Sequence, residues 1–209
     1  MHLLYLTKVK RKDDKIMKIC VYGAASSLIG ENFIKAGEEL GRKMAEHGHG
    51  LVFGGGKSGM MGAPARGVFE KGGYILGIAP KFFEENNPEV SFEDCTEFIK
   101  TESMRERKRL LDELSDAFIV APGGIGTFDE FFEILTLKQL GRHNKAIVIL
   151  NIDGYYDNML KMMEVSINKK FITTDCVELF KVVETIDEAL DYIEKYDPTE
   201  IDLSKVKIR

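Results

Sequence analysis

Two stretches of this chain place charged side chains where chemistry could follow. The first is APGGIGTFDE, residues 121–130, which follows the apolar run DAFIV. Pro122 closes that run, and Gly123, Gly124 and Gly126 let the backbone approach a ligand closely. Amides opening a following helix favour an anion, so a bound phosphate accounts for the glycines. It does not account for Asp129 and Glu130, because a carboxylate beside a phosphate repels it. Thr127 and Glu130 have the spacing of a capping box, in which the glutamate bonds back to the N-cap amide. That motif alone leaves Glu130 open to a structural or a chemical role. The second stretch is ESMRERKRLL, residues 102–111. At about 3.6 residues per turn, Arg105, Lys108 and Arg109 share one face and fit a solvated surface. Arg107 points closer to the stripe of Met104, Leu110, Leu111 and Leu114. An arginine facing inward needs a carboxylate or a bound anion.

Two further turns offer phosphate-sized cradles. FGGGKSGMMG, residues 53–62, holds five glycines. Those inside the following helix each cost about 1 kcal/mol against alanine. Close approach to a ligand or tight helix packing would offset that cost. The spacing is not that of a Walker motif. YGAASS, residues 22–27, adds Ser26 and Ser27, which could bind a ligand or cap a helix.

The elements needed to position these turns are legible as alternating short apolar runs and amphipathic stretches. Strands are expected at 18–22, 50–53, 74–78, 96–101, 117–120, 146–150 and 180–183. Helices are expected at 31–47, 58–71, 103–114, 128–140, 156–168 and 186–196. Most of these strands are apolar throughout rather than alternating, so they are buried on both faces. This describes a single α/β domain, a Rossmann-like doubly wound parallel sheet with helices on both faces. Ligands in such folds sit at the carboxyl ends of the strands, where the glycine-rich turns fall.

The bulk properties narrow the class. The chain has 209 residues, 44% hydrophobic, enough for one well-buried domain. A net charge of −5 speaks against a nucleic-acid partner. Cys20, Cys95 and Cys176 form no paired motif, which fits reduced thiols and a cytoplasmic protein. No stretch approaches a membrane span. Residues 1–16 are expected as a polar extension, 17–196 as the nucleotide-binding catalytic domain, and 197–209 as a tail.

SMRERK, PGGIGTFDE and GGGKSGMMG resemble the MxxRK, PGGxGTxxE and GGGxxGLMG signatures of the LOG-type phosphoribohydrolases, a family often labelled lysine decarboxylase-like. The resemblance covers about residues 17–196 and extends to NIDGYYDNML at 151–160. It implies a Rossmann-like fold and a homodimer with active sites near the interface. It also implies hydrolysis of the N-glycosidic bond of nucleoside 5′-monophosphates, releasing a free base and ribose 5-phosphate. Cytokinin nucleotides and AMP are the substrates it suggests.

Matched by position, Arg107 and Glu130 take the family's catalytic places. Gly123, Gly124, Gly126 and Thr127 match its phosphate turn, and Gly54, Gly55, Gly56 and Met60 its second glycine loop. Ser26, Met104 and Lys108 complete the substrate contacts. This chain departs from the family at Arg105, where histidine is common, at Met60 for leucine and at Asp129 for glutamate. It also departs in the GAASS turn and at Lys138-Gln139, where Trp-Gln is usual. On this reading a carboxylate at Glu130 stabilises positive charge on the ribose and orients water, and Arg107 steers the nucleotide. No metal or other cofactor is implied. The lysine decarboxylase label requires pyridoxal phosphate on a Schiff-base lysine, and no such constellation is legible. The competing reading is a nucleotide or molybdenum-cofactor carrier without turnover. A DNA-uptake protein of a related fold is disfavoured by the acidic charge.

Overall fold

The computed structural model describes residues 17–86, 90–199 and 201. The expected extension at 1–16 and most of the expected tail at 197–209 lie outside the described residues. The strands are β1 (Lys18–Tyr22), β2 (Gly50–Phe53), β3 (Ile75–Pro80), β4 (Glu97–Thr101), β5 (Ala117–Val120), β6 (Ala146–Leu150) and β7 (Lys181–Val183). The helices are α1 (Glu31–Glu46), α2 (Gly59–Glu70), α3 (Lys81–Asn86), α4 (Met104–Glu113), α5 (Ile125–Gln139), α6 (Asp157–Asn168) and α7 (Ile186–Lys195).

All strands run parallel in one sheet ordered β4-β3-β2-β1-β5-β6-β7. Cys20 at the centre pairs with Val52 on one side and Phe118 on the other. The strands β2, β5 and β6 are buried along their whole length because helices cover both faces. Leu40, Met44, Met60, Val68, Leu190 and Ile193 pack one face, from α1, α2 and α7. Leu111, Phe131, Ile134 and Met163 pack the other, from α4, α5 and α6. The chain winds outward from β1 to β4, then returns to lay β5 against the opposite edge of β1. That reversal opens a crevice at the carboxyl ends of β1 and β5. No helix among the described residues is long and apolar enough to cross a membrane.

The small residues of α1 and α2 have an internal cause. A Cβ at Gly41 would lie 2.0 Å from the Pro64 carbonyl oxygen, and one at Gly67 would lie 2.0 Å from that of Glu38. The two helices therefore touch backbone to backbone, and alanine at either position would drive them apart. Tight packing thus explains part of the glycine content that a ligand could also have explained.

One expected element changes position with consequence. Helix α5 begins at Ile125 with Gly124 as its N-cap, three residues before the expected start at 128. Thr127 therefore lies inside the first turn, and the capping box between Thr127 and Glu130 does not form. Glycine and proline in PGGIGT hid the true start. The capping box in this fold lies instead at Thr185 and Glu188, opening α7. The short α3 was not expected. Its six residues are too few to show a helical period.

Candidate active site

Three loops meet at the crevice. The Ala24 amide after β1 donates to the Pro122 carbonyl after β5 at 3.1 Å. The Met61 amide in α2 donates to the Ala24 carbonyl at 2.9 Å. Gly59 has φ +61°, and a Cβ there would come within 2.4 Å of the Ala24 oxygen and 2.5 Å of the Ser26 oxygen. Only glycine lets the turn after β2 close onto the turn after β1.

At the third loop, Thr127 is buried and packs on Gly123, where a Cβ would meet Thr127 Oγ1 at 2.1 Å. Gly124 and Gly126 differ in kind. A Cβ at either would meet nothing within 4 Å, so the chain's own packing does not require them. They leave the first turn of α5 open, with its unpaired amides facing out of the fold. Tyr155 and Tyr156 brace this loop from below, their hydroxyls donating to the Gly123 and Ala121 carbonyls at 2.7 Å each. Asn151 holds the brace, accepting from the Tyr156 amide at 2.7 Å. The sequence offered only their place in NIDGYYDNML as a signal.

Helix α4 delivers the cation. Ser103 caps it, accepting from the Glu106 amide at 3.2 Å. Arg107 is 3% exposed, as its inward direction predicted. Its Nε donates to the Ile78 carbonyl at 3.2 Å and its Nη1 to Glu130 Oε1 at 2.9 Å. Glu130 is 6% exposed. Burial pushes its carboxyl above the ordinary glutamate value, and the Arg107 charge and hydrogen bond pull part of the way back. Gly54 makes room for the guanidinium. A Cβ there would lie 2.2 Å from Arg107 Nη2.

Behind the pair, Cys20 and Tyr22 are buried and held neutral, because burial pushes both upward and the Glu130 charge adds to it. A cavity of about 280 Å³ between α4 and α5 reaches Glu130 and is also lined by Tyr22, Lys108, Asp112 and Glu133.

The other expected site residues fall into separate places. Lys108 is half-buried and bridges Asp129 at 3.0 Å and Glu133 at 2.8 Å. Asp129 is thus a surface partner of Lys108. Met104 opens α4, half-buried. Gly55, at φ +77°, packs on Phe98, and Gly56 bridges to Ser91. Ser26 is exposed, and its Oγ accepts from the Leu28 amide at 3.1 Å. Met60 is fully buried in the core beneath Gly23 and presents no surface to a ligand. Met61, which sequence reasoning passed over, runs along Gly54 and Gly56 instead. Lys138 lies two turns beyond Glu130, fully buried, with its Nζ donating to the Lys145 carbonyl and the Tyr196 hydroxyl at 2.8 Å each.

Fold and site together define a Rossmann-like α/β protein with a buried arginine–glutamate pair at its ligand crevice. The family described as possible lysine decarboxylase matches residues 61–193. The chain is 34% identical over 184 residues to cytokinin riboside 5′-monophosphate phosphoribohydrolase LOG of Oryza sativa subsp. japonica, spanning 88% of this chain and 75% of that protein. It is 33% identical over 184 residues to cytokinin riboside 5′-monophosphate phosphoribohydrolase LOG2 of Arabidopsis thaliana, spanning 88% and 85%. The chain belongs to this LOG family. Among solved structures, the molybdenum cofactor carrier protein of Chlamydomonas reinhardtii has the same fold, with a TM-score of 0.65 at 22% identity over 87% of this chain and 98% of that one.

Proposed function

We propose that the protein hydrolyses the N-glycosidic bond of nucleoside 5′-monophosphates, AMP among them, to a free base and ribose 5-phosphate. The observation that carries this reading is the buried pair of Arg107 on α4 and Glu130 on α5, 2.9 Å apart, with Glu130 on the helix whose first turn is open to an anion. Glu130 lies six residues past the N-cap Gly124, about 9 Å along the axis at 1.5 Å per residue. A phosphate on the first turn of α5 therefore leaves the sugar beside the carboxylate.

The bond between C1′ and the base nitrogen breaks as positive charge builds on the ribose. Glu130, ionised against Arg107, stabilises that charge in a dry site where it acts strongly. Arg107 holds Oε1, and Oε2 serves the sugar hydroxyls or the attacking water. The water oxygen adds to C1′ as the C1′–N bond breaks, one water proton passes to Glu130, and the departing base takes up a proton from solvent. The relatives' names, which describe phosphoribohydrolases of cytokinin riboside 5′-monophosphates, support the same bond and the same phosphate.

A carrier without turnover has no use for a buried carboxylate beside the sugar, and both members of the pair are present. The working unit in this reading is a homodimer in the cytoplasm, one domain over 17–196. The α5–α6 face supports the pairing. Its apolar groove of about 640 Å³ includes Phe132, Met162 and Phe171, exposed by 42%, 63% and 81%.

The test is a hydrolysis panel of AMP, other monophosphates and isopentenyladenosine monophosphate, following ribose 5-phosphate. Release from at least one monophosphate is expected. Nucleotide binding with no release across the panel would establish the carrier reading instead.

A further inference from the structure

At the opposite end of the sheet, His47, His49 and Glu194 converge. His47 ends α1 and His49 precedes β2, with Gly48 between them at φ +85° turning the chain back. That turn brings two histidines one residue apart toward the same carboxylate. Glu194 Oε1 lies 2.7 Å from His47 Nδ1 and 3.0 Å from His49 Nε2. The three ligand atoms lie within 4.8 Å of one another. His49 is 3% exposed, while His47 opens onto a cavity of about 450 Å³ whose other lining residues, Asp187, Glu188, Asp191 and Glu194, are all acidic. Lys43 and Lys195 pair with Asp187 and Asp191 at 2.5 Å each, and Glu188 is held in the α7 capping box, which leaves Glu194 as the acid turned to the two histidines.

We propose that His47 Nδ1, His49 Nε2 and a Glu194 oxygen form a structural site for a divalent cation of the zinc class, completed by water from the acidic cavity. Two imidazoles and one carboxylate with an open fourth position are a donor set that zinc accepts, at bond lengths near 2.0–2.2 Å. At those bond lengths tetrahedral ligand atoms sit about 3.3 Å apart, so the two Glu194 contacts need only small shifts while the triad as a whole, within 4.8 Å, draws in around the ion. The ion would clip the α1–β2 turn to the last turn of α7. It lies at the amino ends of the strands, away from Arg107 and Glu130, and so acts on stability rather than on the reaction.

A ring nitrogen binds a cation through its lone pair, so each histidine would present a neutral ring with its proton on the other nitrogen, and His49 would give up its long contact at Nδ1 with the Met17 amide, 3.3 Å.

The test uses the full chain stripped with a chelator. Zinc binding is measured by competition with a chromogenic chelator, and cobalt by its visible absorption. The expected result is one zinc per chain, a visible cobalt spectrum and a raised Tm. His47→Gln, at an exposed position, and Glu194→Gln should each weaken zinc by at least about tenfold, since even supporting partners of a metal site count for that much. Wild-type protein that binds no zinc would overturn the proposal, leaving the triad as the hydrogen-bonded cluster it is without metal. So would zinc binding that survives both substitutions.

Discussion

The guanidinium of Arg107 fills the space in which a side chain at Gly54 would begin, with Nη2 only 2.2 Å from the Cβ position. A glycine in the second loop and an arginine on α4 are thus one feature. Gly54→Ala should push Arg107 off Glu130 while leaving the sheet intact. Misplacement of about 1 Å in such a site can cost about 100-fold in rate. We expect kcat to fall by that order with Tm nearly unchanged. Wild-type kcat in the alanine variant would show that the guanidinium position does not matter.

Activity should depend on pH through Glu130. Its carboxyl is raised above 4.5 in the fold, mainly by burial. As pH falls, Glu130 therefore takes up its proton earlier than an exposed glutamate and loses the charge that stabilises the ribose. The same shift means that ionising Glu130 costs folding stability as pH rises through the raised value. The kcat/KM profile should show an acid limb at a pH above the ordinary glutamate value. A limb at or below that value would contradict the burial argument.

Asp129 should matter little. It is exposed and paired with Lys108 at 3.0 Å, and surface pairs contribute about 0–1 kcal/mol. Asp129→Asn should change stability by less than about 1 kcal/mol and leave kcat within about tenfold. A loss as large as that expected for Glu130 would place Asp129 in the chemistry.

Lys138 should reveal itself at alkaline pH. Burial lowers its pKa from 10.5 to about 8, so the folded chain holds that proton more weakly than the unfolded chain. Its contribution to stability is fullest above pH 10.5 and falls as pH drops toward 8. Denaturant unfolding of wild type should therefore gain stability across that window relative to Lys138→Gln. Parallel curves would refute the buried, depressed amine.

Most of the fold was legible because the strands are apolar along their length and the helices are amphipathic. The inward direction of Arg107 followed from helical spacing alone. What escaped depended on local loop packing that glycine and proline disguise, and on one contact distant in sequence. Nothing in PGGIGTFDE says that Thr127 packs on Gly123, that α5 starts at Ile125 or that Glu130 meets an arginine 23 residues upstream. The glycines could not be sorted by sequence either. Gly41 and Gly67 serve helix packing and Gly54 serves Arg107, whereas Gly124 and Gly126 face open space. The motif marks Met60 as a ligand contact, whereas its burial under Gly23 is a property of the closed loops that no motif shows.

The most direct measurement is ribose 5-phosphate release by wild type and Glu130→Gln on the monophosphate that wild type turns over fastest. Circular dichroism and a nucleotide titration on both proteins confirm folding and binding. The glutamine variant is expected to fold, still bind the nucleotide and release product at least about 100-fold more slowly. A folded variant that hydrolyses at the wild-type rate would remove Glu130 from the chemistry.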